Sequence, residues 1–201
     1  RRVLFRSAGF SACENTLSYT GVDPNERLHP NYLAQVGLYK SGKQTTFHKA
    51  CAEDMSYPSE SFDTIFTSPP YLDIERYTQE ENQSWKKYKY NSSKGSSNWQ
   101  ENFLHTAIER AWDALIPSGV MAINIADVYG HHEWNQLCDP MNDFISTLPN
   151  AEYQGGMGYR MAKRPNSLVD EWKAEGQSEK PAIGRVYVEP IWVWRKNNRT
   201  S

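Results

Sequence analysis

From Glu101 to Leu115 the apolar residues recur at helical spacing. Phe103, Leu104, Ala107, Ile108, Ala111, Trp112 and Leu115 share one face, so the stretch predicts an amphipathic helix. Pro117-Ser118-Gly119 stops it, and Val120 to Ala126 comes next as an apolar strand broken only by Asn124. Upstream, Leu17 to Val22 is strand-like and ends at Asp23-Pro24-Asn25. A short helix opens with Pro30 in its first turn and is expected to carry Leu33 and Val36 inward. A second strand, Thr45 to Cys51, ends at Ala52-Glu53-Asp54. A third, Phe62 to Phe66, runs into Thr67-Ser68-Pro69-Pro70-Tyr71. Residues 76–99 are polar but carry Tyr77, Trp85, Tyr88, Tyr90 and Trp99, the pattern of a long loop or small insertion. Another helix is expected over 134–147, and two closing strands over 151–160 and 185–195. The last is rich in β-formers, and its Pro190 implies an edge position or a bulge. No internal repeat is visible.

Strands alternating with helices predict an α/β sheet, parallel in its main part. In such sheets ligands bind beyond the carboxyl ends of the strands. Three strands end in chemically notable groups, namely Asp23, Asp54 and the Ser-Pro-Pro-Tyr turn, and all three are expected on one edge of the sheet.

Length and composition narrow the class. The 201 residues suit one domain, and 13% aromatics suit a packed core rather than disorder. No apolar run approaches the roughly 18 to 20 residues of a membrane span. Cys13, Cys51 and Cys138 are scattered and odd in number, which points to reduced thiols and a cytoplasmic setting. A formal charge of −2 offers no global basic field for a polyanion. The opening RRVLFRS does not connect sensibly to the chain after it and reads as a non-native leader over 1–7, ahead of a domain over 8–201.

The turn after the third strand has its own chemistry. Two consecutive prolines fix φ and remove two N–H donors, leaving a rigid turn with carbonyls free to accept. Ser68 adds a hydroxyl acceptor and Tyr71 a flat aromatic face. Acceptors beside a ring suit a planar ligand bearing an amino group, such as a nucleobase.

Thr67-Ser68-Pro69-Pro70-Tyr71 resembles the catalytic motif of the amino-group DNA methyltransferases, which act on N4 of cytosine or N6 of adenine with S-adenosylmethionine. Tyr19 to Asn25 resembles their second motif, and Cys51 to Met55 their third. Ile116-Pro117-Ser118-Gly119 resembles their helix-to-strand turn. Met157 to Arg160 and Glu189 to Lys196 resemble their final hairpin. The resemblance spans roughly residues 16 to 196.

It implies a Rossmann-like methyltransferase sheet, mostly parallel, with a C-terminal antiparallel hairpin. It implies cofactor contacts at Asp23, Asn25, Glu53, Asp54 and Thr67, and catalysis at Ser68, Pro69, Pro70 and Tyr71. The partner implied is duplex DNA with one base flipped out, stacked on Tyr71, with cytosine N4 slightly preferred. No glycine-rich loop precedes Asp23, so the first strand and that loop are expected to be missing.

Trp85, Lys86, Lys87, Tyr88 and Lys89 interleave basic and aromatic residues, a pattern for contacting DNA from the 76–99 insertion. Arg160, Lys163 and Arg164 are further phosphate candidates. His131-His132-Glu133 lacks metal-ligand spacing and reads as a surface loop, so no metal is expected. Asp127 is either a pocket residue or a helix cap. Two rivals stand beside the DNA enzyme: an RNA-directed methyltransferase, and a binding module that keeps the base pocket without using cofactor.

Overall fold

The computed structural model describes residues 17–38, 44–72, 81–88, 97–130, 132–160 and 188–198. Its first unit is a parallel pair, β1 (Ser18–Val22) and β2 (Gln44–His48), joined through helix α1 (His29–Leu38). The pair is held by aromatic packing. Phe47 stacks on Tyr32 at 5.4 Å between centroids and meets Tyr19 edge-on at 5.8 Å. Gly21 lies opposite Phe47 in the ladder, where a Cβ would sit 2.8 Å from that ring. Tyr32 and His29 are therefore the buried face of α1, while Leu33, expected inward, is 59% exposed. Two rings stacked over β2 outcompete the aliphatic stripe.

The main sheet has four strands in the order β3-β4-β8-β7. Strand β3 (Phe62–Thr67) pairs parallel with β4 (Leu115–Asn124). Strand β8 (Val188–Lys196) pairs antiparallel with both β4 and β7 (Ala151–Arg160). The expected α/β sheet with a C-terminal hairpin is present, but among the described residues β1 and β2 pair with no strand of this sheet. The three strand ends therefore do not share one continuous hydrogen-bonded edge. Strand β8 is an inner strand, but its β4 ladder ends at Asn124 and Ile191, so Pro190 pairs with Gly158 of β7 alone and holds a local edge position, where its missing donor is tolerated.

The amphipathic helix forms as expected but starts earlier and winds differently. Helix α3 (Ser97–Trp99) leads into a π-turn (Gln100–His105) and then α4 (Thr106–Ala114). Helix α2 (Ser84–Lys87) precedes them. The Ile116-Pro117-Ser118-Gly119 turn is looped out within β4. Phe62 pairs with Leu115 and Thr64 with Val120, and the register shift absorbs the turn. Gly119 is required there, because a Cβ would lie 2.7 Å from Leu115 Cδ1 and 2.8 Å from the Ile116 carbonyl.

The helix expected over 134–147 begins later, as α5 (Cys138–Ser146). Residues ahead of it form a small hairpin of β5 (Val128–Gly130) and β6 (Glu133–Asn135). Asp127 Oδ1 accepts from the Leu137 and Cys138 amides at 2.8 and 2.9 Å and fixes the helix start.

The core lies between α3–α4, α5 and the main sheet. Trp99, Leu104, Trp112, Leu115, Met121, Ile123, Ile125, Leu137, Met141 and Ile145 are each 2% exposed or less. Each such side chain contributes about 1.5–3 kcal/mol by leaving water. Lys196 Nζ closes one corner by donating to the Trp112 and Leu115 carbonyls at 2.9 and 2.8 Å, a cation at the carboxyl end of α4.

Candidate active site

Each sequence-predicted acid sits just after a parallel strand. Asp23 follows β1. Its Oδ1 accepts from the Asn25 amide at 2.7 Å, and its Oδ2 accepts from the Tyr32 hydroxyl. Asn25 turns its own Oδ1 onto the Arg27 amide at 3.2 Å, capping the 3-10 turn Glu26–Leu28. His29 Nε2 meets the Asp23 carbonyl at 2.8 Å. Burial, then the hydrogen bond to Asp23, pushes the Tyr32 hydroxyl well above the usual phenol range, so Tyr32 remains a donor. Each Asp23 oxygen retains acceptor capacity, since a carboxylate offers about four lone-pair sites.

Glu53 and Asp54 lie in the 3-10 turn Ala52–Asp54 after β2. Glu53 is 4% exposed. Lys87 Nζ reaches Glu53 Oε1 at 3.2 Å and Asp54 Oδ2 at 2.6 Å, and the Tyr88 hydroxyl donates to Glu53 Oε1 at 3.2 Å. The Glu53 carbonyl accepts from Arg110 Nε at 3.2 Å, which ties this turn to α4. Burial alone would lower the Lys87 pKa, but the bonds to Asp54 and Glu53 outweigh it and raise it.

Lys87 and Tyr88, expected to face DNA, are thus joined to residues expected to hold cofactor. Trp85 is half-buried, and Lys86 lies over its ring at 5.6 Å while bonding Glu81 at 2.6 Å. Lys89, Lys163, Arg164 and the Arg160 side chain lie outside the described residues, as do 1–16 and most of the 76–99 insertion.

The Ser-Pro-Pro-Tyr turn leaves the carboxyl end of β3. Thr67 pairs with Ile123 and is half-buried, and Pro69 is buried. Ser68 Oγ is a buried atom with no hydrogen-bond partner among the described residues. Buried polar groups are overwhelmingly paired, so an orphaned hydroxyl at this turn demands an explanation. Tyr71, expected to offer an open face for stacking, is instead 6% exposed and sits in the core with Leu72, Trp99 and Phe103.

An open cavity of about 560 Å³, not foreseen from the sequence, is lined by Ala126, Asp127, Asp139, Met157, Pro190 and Trp192 among others. That size lies within the range of small-molecule pockets, about 300–1,000 Å³. The Trp192 indole is anchored to the Ile125 carbonyl at 3.0 Å. Register places the cavity relative to the turn. Thr67 pairs with Ile123, Asn124 with Ile191, and Pro190 with Gly158, so Ser68 lies two strands from Pro190. At the usual strand spacing that is about 10 Å.

Asp127 caps α5, as one of its two expected roles requires, and also lines this cavity. Residues 111–159 hold six carboxylates and no lysine or arginine, and two of those carboxylates, Asp127 and Asp139, line the cavity. Cys51, Glu53 and Asp54 have ligand atoms within 4.8 Å of one another, but Lys87 already supplies the positive charge there.

No family model matches the chain, and no curated protein matches it. Among solved structures, a candidate DNA modification methylase from Thermus thermophilus, in complex with S-adenosyl-L-methionine, is similar at 15% identity. The match covers 92% of this chain and 57% of that one, with a TM-score of 0.45. The chain therefore spans little more than half the length of that protein. A candidate S-adenosylmethionine-dependent methyltransferase from Listeria monocytogenes is similar at 6% identity over 98% of this chain and 99% of that one, with a TM-score of 0.49. The N-methyltransferase NodS from Bradyrhizobium japonicum WM9 is similar at 11% identity over 97% and 93%, with a TM-score of 0.46. All three scores lie below 0.5, and the functional reading rests on the chain's own residues.

Proposed function

We propose that this chain is the catalytic portion of an S-adenosylmethionine-dependent methyltransferase acting on the exocyclic amine of a DNA base. The observation that carries this reading is Ser68 Oγ, a buried acceptor without a partner among the described residues, on a rigid proline turn at a strand's carboxyl end. A base amine supplies the donor that this hydroxyl lacks.

The residues fit the roles. Ser68 Oγ and the Pro69 carbonyl accept the two amine hydrogens, which localises the nitrogen lone pair. The turn's fixed φ angles hold both acceptors in place, so positioning supplies much of the rate. Asp23, with lone pairs left over, accepts hydroxyls of the cofactor ribose. Glu53 and Asp54 suit its adenosine end once Lys87 withdraws. When bound, S-adenosylmethionine supplies an electrophilic methyl group. The cavity about two strands from the turn, with the Trp192 ring and no cation among its described lining residues, suits a base rather than its phosphate.

One observation favours the binding-module rival, namely that Lys87 occupies the acid pair. The experiment is methyl transfer from labelled S-adenosylmethionine to mixed-sequence duplex DNA and to RNA, with Ser68→Ala as control. Transfer to DNA that the substitution abolishes supports the reading. Transfer to RNA alone selects the RNA-directed enzyme. Cofactor binding without transfer to either, in folded protein, refutes the enzymatic reading.

A further inference from the structure

We propose that residues 81–88 are an autoinhibitory strap, by which the chain fills its own acid site with the Lys87 ammonium and the Tyr88 hydroxyl, so that a ligand for those carboxylates must displace it. The inference rests on the proposed function for the ligand's identity, but not for the strap itself.

The strap is held at both strand ends. Asn82 Nδ2 donates to the Pro24 carbonyl beyond β1 at 3.4 Å, and the Asn82 carbonyl accepts from the Cys51 thiol beyond β2 at 3.4 Å. Lys87 and Tyr88 then close on Glu53 and Asp54. Helix α2, in the middle of the strap, has only four residues. A helix of that length does not stand alone in water, so its order comes from docking.

The energetics make the strap closed by default yet able to open. Glu53 is 4% exposed, and a buried carboxylate stripped of its only cation among the described residues is strongly disfavoured. The Asp54 arm is different. Its side chain is 59% exposed and that of Lys87 is 33% exposed, so this contact is weak, reached by salt and replaceable by another donor. A ligand that offers hydroxyl or amine donors to Glu53 relieves the cost of losing Lys87.

The strap is also coupled to the turn. The Tyr88 ring packs against Phe103 at 6.2 Å, on the same aromatic core that buries Tyr71. Withdrawal of Tyr88 thus removes a neighbour of Phe103 within the cluster that also holds Tyr71.

The test is amide hydrogen exchange over residues 81–88 of the full chain, in wild type, Lys87→Met, Lys87→Arg and Asp54→Asn, each with and without adenosine. The amides of Lys86, Lys87 and Tyr88 bond within the strap and report its docking. Exchange about tenfold faster in Lys87→Met, with near wild-type exchange in Lys87→Arg, is expected. Adenosine is expected to speed strap exchange in wild type and to bind several-fold more tightly to Lys87→Met. Should Lys87→Met unfold, Asp54→Asn gives the same direction with a smaller change. Wild-type exchange in folded Lys87→Met overturns the strap. Equal adenosine affinity in wild type and Lys87→Met overturns inhibition while leaving the acid site standing. Lys87-dependent exchange with no adenosine binding in any variant keeps the strap and refutes the cofactor reading.

Discussion

Ser68→Ala is expected to stabilise the protein while abolishing the proposed methyl transfer. The hydroxyl oxygen is buried and lacks a partner among the described residues, so folding strips its water without replacing it. An unmade buried hydrogen bond costs about 1–3 kcal/mol. Ser68 as a whole residue is only half-buried, which favours the lower end, about 1 kcal/mol. For a chain of this size that gain raises Tm by about 2–4 °C. Ser61→Ala is the control. Its Oγ donates to the Pro58 carbonyl at 2.7 Å, so removing it is expected to cost about 0.5 kcal/mol instead. Urea titration with an unchanged slope measures both. Opposite signs at two serines seven residues apart would mark Ser68 as a position where stability is given up for a ligand. A loss of about 1 kcal/mol or more in Ser68→Ala would show that the hydroxyl is already satisfied, and the amine-acceptor argument would fall with it.

Asp127→Ala removes the acceptor for two amides at the start of α5 and is expected to cost about 1–2 kcal/mol in a urea titration. Gly119→Ala drives a methyl into Leu115 and the Ile116 carbonyl and is expected to cost about 1–3 kcal/mol, measured the same way. Burial first, then the Asp127 carboxylate, pushes the Cys138 thiol up to about 12, and burial with Glu53 pushes Cys51 up to about 11. The folded protein holds these protons more tightly than the unfolded chain does. Their contribution to stability is therefore full below the ordinary thiol range and lost as pH rises through about 11 to 12. Denaturation midpoints are expected to fall across that window, and Cys138→Ala should flatten the fall.

The sequence made β1, β2, β3 and α4 legible because each has a run of pattern closed by a strong local stop, Asp23-Pro24, Ala52-Glu53-Asp54, the double proline and Pro117-Ser118-Gly119. The β5–β6 hairpin was not legible, since strands of three residues are too short to show a period. Trp134 thereby passed as the start of a helix that begins at Cys138. Pro190 pointed to an edge position in a strand that lies inside the sheet, and the edge is local, since the β4 ladder ends at Ile191. At the site, residue types were readable and their partners were not. Lys87 and Tyr88 show a basic and an aromatic group in any reading. That they meet Glu53, 34 residues away from Lys87, depends on how the chain closes. The burial of Tyr71 is non-local in the same way, in a cluster that takes in Trp99 and Phe103.

The lack of lysine and arginine across 111–159 bears on how a polyanion could approach. Asp127, Glu133 and Asp139 place like charge against any phosphate that runs along the β5–β6 hairpin or the start of α5. A nucleic-acid substrate of the kind proposed above is expected to carry its backbone clear of these carboxylates. The carboxylates would then act as a rudder at long range, and their influence on the rate of encounter would fade as ionic strength rises.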